Sequence, residues 1–236
     1  METKITEQYF QYETNKYFRG NAHSLQLGSF GEKKDPIGAK AYLDVQDAIK
    51  PIYLASRVKY NTTTKIDWSQ TNKTEVEAEG AFKFFGININ AAVDGTYDKA
   101  KTAKLELINF AIDEGPLQRM LNEDADGARK YLANEGNDGR VVSEVWVVTE
   151  GELSEHFSTS GSISVSASAV GNALDVTAKG GKHGSQTIRL AQGVVFAYKL
   201  HKVKDWNKDK TRIENLEADW RVLAERHNPK LHRFLN

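Results

Sequence analysis

The 236-residue chain contains no cysteine. That excludes disulfides, thiolate zinc sites and a cysteine nucleophile, and it fits a reducing compartment best. Proline is scarce, and Pro36, Pro51, Pro116 and Pro229 each fall near an expected element boundary. Apolar runs are short: the strongest, Val194–Tyr198, is far below the roughly 20 residues of a spanning helix. A membrane helix is therefore excluded, but a membrane β-hairpin is not, because each strand needs only about 10 alternating residues. The opening Met1–Phe10 is polar, so no secretion peptide is expected. Net charge is missing too: 32 basic and 32 acidic residues cancel, leaving no global attraction to nucleic acid.

What is present is a globular composition, 39% hydrophobic and 27% charged, with enough length to bury a core unaided. Tyr9, Phe10, Tyr12, Tyr17 and Phe18 read as the stripe of a short helix, and Gly28–Gly31 with Asp35-Pro36 as a loop. A brief segment Tyr42–Ile49 and a strand Ile52–Tyr60 follow, then a polar loop Asn61–Asn72. From Val76 to Phe84 apolar and charged residues alternate, the period of a strand with one wet face. The apolar set then shifts parity to Ile87, Ile89, Ala91 and Val93, which predicts a β-bulge near Phe85-Gly86. Asp94-Gly95 is a hairpin turn, and the return strand runs to Phe110.

Pro116 and Gly136 bracket a helical stretch with Leu117, Met120, Leu121, Ala125, Ala128, Tyr131 and Leu132 on one face, and Gly127 is its expected break. Arg140–Glu150 is apolar on both sides, as a central strand would be. From Phe157 to Ala169 every even position is serine. A glycine-rich connection, Gly171–Gly184, leads to a strand from Thr187 to Val203, completing a second long hairpin. Ile213, Leu216, Trp220, Leu223 and Ala224 have the spacing of a C-terminal helix. The predicted fold is α+β: a twisted, mostly antiparallel sheet with two long β-hairpins, a central helix region and a C-terminal helix.

Signatures of catalysis are poor. Gly180–Ser185 lacks the Ser or Thr that a phosphate-binding loop needs after Gly181-Lys182, and no nucleophile elbow occurs. His156 beside Glu152 and Glu155 is the one local metal-like cluster, and it reads better as a solvated acidic turn. No metal, cofactor or enzyme activity is expected. An enzyme would need a pocket gathering His156, His183 or His201 with carboxylates. Charge is distributed unevenly. Asp113–Asp138 carries seven acids against three bases, and Lys199–Asn236 ten bases against six acids. Opposite signs favour docking of the two regions on each other or contact of the tail with anionic lipid, unless both are simply solvated faces.

A face of serine hydroxyls belongs in water, either in a barrel lumen or on the exposed side of a sheet. Ala103–Ile108, the helix segment Leu117–Leu121, the strand Val141–Glu150, the polar hairpin and Gly193–Leu200 together resemble the pore-forming domain of the gasdermin family. Tyr42–Ile49 and Pro51–Ser56 resemble its opening region more loosely. The resemblance implies a protein that is cytoplasmic and monomeric while latent. Proteolysis then frees it to bind anionic membrane lipids, oligomerise as a β-barrel and permeabilise the membrane. Residues 1–204 would be the pore-forming domain and 205–236 a short autoinhibitory tail acting through Ile213, Leu216, Trp220 and Leu223. Ala81–Phe110 and Phe157–Leu200 would be the membrane hairpins, with Phe82, Phe84, Ile87, Ile89, Val93, Phe157, Ile163, Val165, Val194 and Phe196 facing lipid. Lys204, Lys208 and Lys210 would mark the linker cut by the activating protease. The alternative is a soluble, non-enzymatic binding or structural module whose hairpins never leave the sheet.

Overall fold

The computed structural model describes residues 3–6, 8–36, 40–67, 71, 73–74, 105–150, 163–166, 174–178, 186–190 and 195–219. Its centre is an antiparallel pair, β8 (Gly139–Glu150) and β12 (Val195–Trp206), running from Val195 opposite Val147 to His201 opposite Val141. Valines and aromatics dominate both strands, and Val141, Val142, Val145, Trp146, Val147, Phe196, Tyr198 and Leu200 are all buried. The expectation of a central strand over 140–150, covered on both faces, is met.

Each member of the pair carries two further neighbours in tandem. β4 (Ser29–Lys34) pairs with the start of β8 and is extended by β5 (Tyr42–Ala48), whereas β7 (Leu105–Ala111) pairs with its end and is extended by β6 (Lys59–Lys65). Beyond β12, β3 (Asn15–Phe18) joins at Tyr198 and leads outward to β2 (Tyr9–Tyr12) and β1 (Thr3–Ile5). β13 (Ile213–Asp219) pairs with the far end of β12. These ten strands form one sheet in which every laddered pair is antiparallel. A separate three-stranded antiparallel sheet consists of β9 (Ile163–Ser166), β10 (Leu174–Ala178) and β11 (Gln186–Leu190). The helices are one turn, α1 (Pro51–Leu54), and the consecutive α2 (Glu114–Glu123) and α3 (Asp126–Glu135). The fold is α+β with a mostly antiparallel sheet, as the sequence predicts.

Two cores form on the central strands. Val145 and Val147 join Leu117, Met120 and Leu121 of α2 and Leu132 of α3 in the larger one. Trp146 and Val148, neighbours pointing the other way, join Phe10, Tyr12, Tyr17 and Phe196 in the second. There Phe10 meets Trp146 edge-on at 5.2 Å and Phe196 at 5.6 Å, so the β1–β3 meander closes over the sheet through ring contacts. Tyr198 ties the sheet across: its hydroxyl donates to the Gly20 carbonyl at 2.7 Å and accepts from the Leu43 amide at 3.2 Å. Only glycine fits at position 20, because a Cβ there would lie 2.2 Å from the Ala41 carbonyl oxygen.

Several expectations are corrected. The aromatic stripe at Tyr9–Phe18 is a hairpin, not a helix. Its two-residue turn uses Glu13 at φ 53 and carries no glycine or asparagine to announce it. Ser29–Gly31 and Asn61–Lys65, expected within loops, belong to strands because β8 and β7 offer them partners. Pro51–Leu54, expected to open a strand, is helical. The helix break falls at Asp124–Ala125 rather than at Gly127, which lies in the first turn of α3. The second hairpin is not continuous: 174–178, assigned to a connection, is the middle strand of the small sheet. The bulge at Phe85-Gly86 and the Asp94-Gly95 turn lie outside the described residues.

The largest correction concerns the tail and with it the function. Ile213–Asp219 is a strand and not a helix. Its helix-like spacing comes from register shifts in the β12–β13 ladder between Val203 and Trp206, which skip Glu214 and bring both Ile213 and Leu216 inward. Far from a detachable repressor, this strand completes the sheet. Among the described residues that sheet is open, not closed into a barrel, and no helix is long and apolar enough to cross a membrane. The latent pore-former, its membrane permeabilisation and the relocation from cytoplasm to membrane are overturned by this architecture. Ending the chain at Lys204 is therefore expected to abolish cooperative urea unfolding followed by circular dichroism. A folded, released body would contradict this integral role of β13.

Candidate functional site

A cleft of about 570 Å³ runs along α2, lined by Gly115, Gln118, Arg119, Asn122, Glu123, Arg129, Thr211 and Arg212. It exists because α2 divides its surface. Leu117, Met120 and Leu121 take the core, leaving Gln118 and Asn122 to face the edge of β13. Asn122 acts there as a substitute strand residue. Its Oδ1 accepts from the Ile213 amide at 2.8 Å, and its Nδ2 donates to the Ile213 carbonyl at 2.9 Å. Gln118 Nε2 donates to the Glu214 carbonyl at 2.8 Å. Two side-chain amides thus satisfy backbone groups at the start of an edge strand and hold the cleft's walls at fixed spacing.

The three arginines differ in role. Arg129 of α3 turns back: its Nη1 donates to the Asn122 carbonyl at 2.9 Å, capping the C-terminal end of α2, while its Nη2 pairs with Asp126. Arg119 and Arg212 are exposed, and among the described residues their guanidinium groups have no hydrogen-bond or ion-pair partner. Arg212 extends from the turn between β12 and β13, where Asn207 Oδ1 accepts from the Thr211 and Arg212 amides at 2.8 and 2.9 Å. Glu123 is the single carboxylate of the lining.

A buried charge cluster lies at the other end of β13. Asp219 of β13 accepts from Arg140 Nε at 2.7 Å and from Lys33 Nζ at 3.2 Å, with all three side chains under 10% exposed. Burial alone would raise the Asp219 pKa. The Arg140 hydrogen bond and the positive charges of Lys33 and Arg140 outweigh that and hold it below the ordinary 3.8. A second network surrounds Glu144, which accepts from Tyr17 Oη at 2.7 Å, Asn109 Nδ2 at 2.9 Å and Lys199 Nζ at 3.3 Å. Burial, then the Glu144 charge, pushes the Tyr17 hydroxyl well above its usual range.

Of the histidines named for an enzyme, His201 is buried, its Nδ1 2.7 Å from Ser143 Oγ and its Nε2 3.5 Å from Glu114. A serine, a histidine and a carboxylate thus come together, but Ser143 is only 1% exposed and adjoins no part of the cleft lining, so a substrate cannot reach its hydroxyl. The trio braces β8, β12 and α2. Burial, with Lys199 adding to it, lowers the His201 pKa to about 4. His156, His183, Glu152 and Glu155 lie outside the described residues, and among those described no group of three or more His, Asp or Glu is placed to hold a metal.

The residues assigned to lipid contact are dispersed. Phe196 is in the aromatic core with the Arg19 guanidinium over its ring at 4.3 Å. Ile163 and Val165 are in β9, opposite Ala178 and Val176. Phe82, Phe84, Ile87, Ile89, Val93, Phe157 and Val194 are outside the described residues, as are Trp220 and Leu223. Lys204 is exposed on β12, and Lys208 and Lys210 are exposed in the turn that carries Arg212. Arg119, Arg212, Gln118 and Asn122 were not singled out as candidates. The residues on α2 occupy its polar face at i, i+1 and i+4, a detectable signal, but nothing local connects them to Arg212. In comparisons with known proteins, the chain matches no family model, no curated protein and no solved structure.

Two outcomes follow from the buried groups. His201 binds its proton near pH 6.5 when unfolded and near 4 when folded, so it removes stability as the pH falls through that window. The loss approaches about 3 kcal/mol at the acid end. Urea denaturation as a function of pH is expected to show a shallower slope between those values for His201→Gln than for the wild type. Asp219→Asn leaves Arg140 and Lys33 without their shared carboxylate and is expected to cost about 3–5 kcal/mol at pH 7. Wild-type stability from the same group is retained above the ordinary carboxylate pKa and disappears as pH drops through the lowered one.

Proposed function

We propose that the protein is a non-enzymatic binding module and that the cleft along α2 receives a small, polar, anionic ligand. The observation that carries this reading is a pair of guanidinium groups, Arg119 and Arg212, that have no partner among the described residues and are presented by separate elements to one cavity. Its volume lies within the roughly 300–1,000 Å³ common for small-molecule sites. Its lining is charged and amide-bearing, which disfavours an apolar ligand because these groups would lose water without replacement. Arginine forks are suited to planar or tetrahedral oxyanions, on which they make paired, charge-assisted hydrogen bonds. The walls are preorganised: Gln118 and Asn122 hold α2 to β13, and Asn207 holds the turn bearing Arg212. The backbone would therefore need little reordering, and the ordering cost of binding falls on the two arginine side chains.

Binding to the folded state alone raises its stability by RT ln(1 + [L]/Kd), so the effect keeps growing with ligand concentration. Thermal unfolding of the full chain should shift upward with sulfate relative to chloride at equal ionic strength. In the Arg119→Ala/Arg212→Ala double variant that shift should fall to the smaller rise that sulfate exerts on any protein surface, with the midpoint in chloride unchanged. Equal sulfate shifts in the two proteins would reject the cleft as the binding site.

A further inference from the structure

The lining of the cleft narrows the ligand further, and this step rests on the binding reading above. Arg129 pairs with Asp126, which Lys130 shares at 2.7 Å, so the lining charges with no partner among the described residues are Arg119, Arg212 and Glu123. Two guanidinium groups without a partner among the described residues can each pair with an oxygen of one compact dianion. A phosphomonoester, with about −1.5 to −2 charge at neutral pH and three acceptor oxygens, meets that requirement, whereas one carboxylate leaves a guanidinium unmatched. Glu123 sets the second condition. It lies four residues beyond Arg119 on α2, hence on the same face and about 6 Å further along the axis. A carboxylate at that distance repels a second anionic group and accepts hydrogen bonds, so the ligand must present donors there.

We infer that the cleft binds a phosphorylated polyol, with the phosphoryl group between Arg119 and Arg212 and hydroxyls directed at Glu123. The phosphate recruits charge, and the hydroxyls give preference over inorganic phosphate. A dicarboxylate would place its second charge against Glu123 and is discriminated against.

Isothermal titration of the full chain in a phosphate-free buffer at pH 7.5 tests this. The probes are inorganic phosphate, succinate, glucose, glycerol 3-phosphate, ribose 5-phosphate and glucose 6-phosphate. At least one of the three phosphorylated polyols should bind tenfold or more tightly than inorganic phosphate, with succinate weaker and glucose undetectable. Arg119→Ala and Arg212→Ala should each weaken that probe at least tenfold. Glu123→Gln should bring the preference over inorganic phosphate close to unity while leaving phosphate itself bound as well as before or better. All three side chains are exposed, and an unchanged unfolding midpoint verifies that each variant is folded. If inorganic phosphate or succinate binds as tightly as every phosphorylated polyol, or if Glu123→Gln keeps the preference, this inference fails while an anion-binding cleft survives. If the sulfate shift is the same in the wild type and the double variant and no probe here binds the wild type, the binding reading fails with it.

Discussion

The antiparallel ladder between β8 and β12 is the constraint from which the rest follows. Both strands are covered on two faces, so each must satisfy its backbone entirely within the sheet and its side chains in two directions. Because β8 and β12 each accept two neighbours end to end, one pair organises β4 and β5, β6 and β7, the N-terminal meander and β13. The alternation then sends Val145 and Val147 to the helices and Trp146 and Val148 to the aromatic cluster. One strand thereby belongs to two cores, and disturbing it exposes both.

Polar groups inside this frame connect elements that are remote in the chain. The Tyr198 hydroxyl joins β12 to Gly20 and β5, Glu144 gathers Tyr17, Asn109 and Lys199, and Asp219 joins β13 to β8 and β4. Such groups contribute to a single arrangement because each left without its partner costs more than the net gain of making the bond. They also explain why the last described strand cannot be treated as an appendage: its carboxylate neutralises two buried cations, and its apolar residues enter the main core.

The cleft is a consequence of how the sheet protects an edge. β13 needs partners for its exposed backbone, and α2 supplies them with Asn122 and Gln118. Docking a helix through short amides rather than through a continuous apolar face keeps α2 beside β13 with a polar trough between them. Arg119 and Arg212 overlook that trough, and Arg129 closes its end by capping α2. The 113–138 region touches the described part, 199–219, of the region beginning at Lys199. Neutral amides make the contact between α2 and β13, and His201 reaches Glu114.

Elements whose burial pattern is self-contained were legible in the sequence. Val141–Val148 is apolar on both faces and must be a central strand, and Leu117, Met120, Leu121 and Leu132 repeat at helical spacing between Pro116 and Gly136, whose φ of +65° ends α3. Their side chains specify the period regardless of what packs against them. Only tertiary structure decided the rest. Thr62–Thr64 becomes strand because β7 is beside it. Ile213 and Leu216 imitate a helix because register shifts in the ladder change the strand's parity, and Arg212 shares a cleft with Arg119 because Asn122 pairs with a backbone some 90 residues away. Local periodicity records which face of a segment is buried. It carries no information on which distant edge supplies the hydrogen bonds, and that pairing determines both β13 and the cleft.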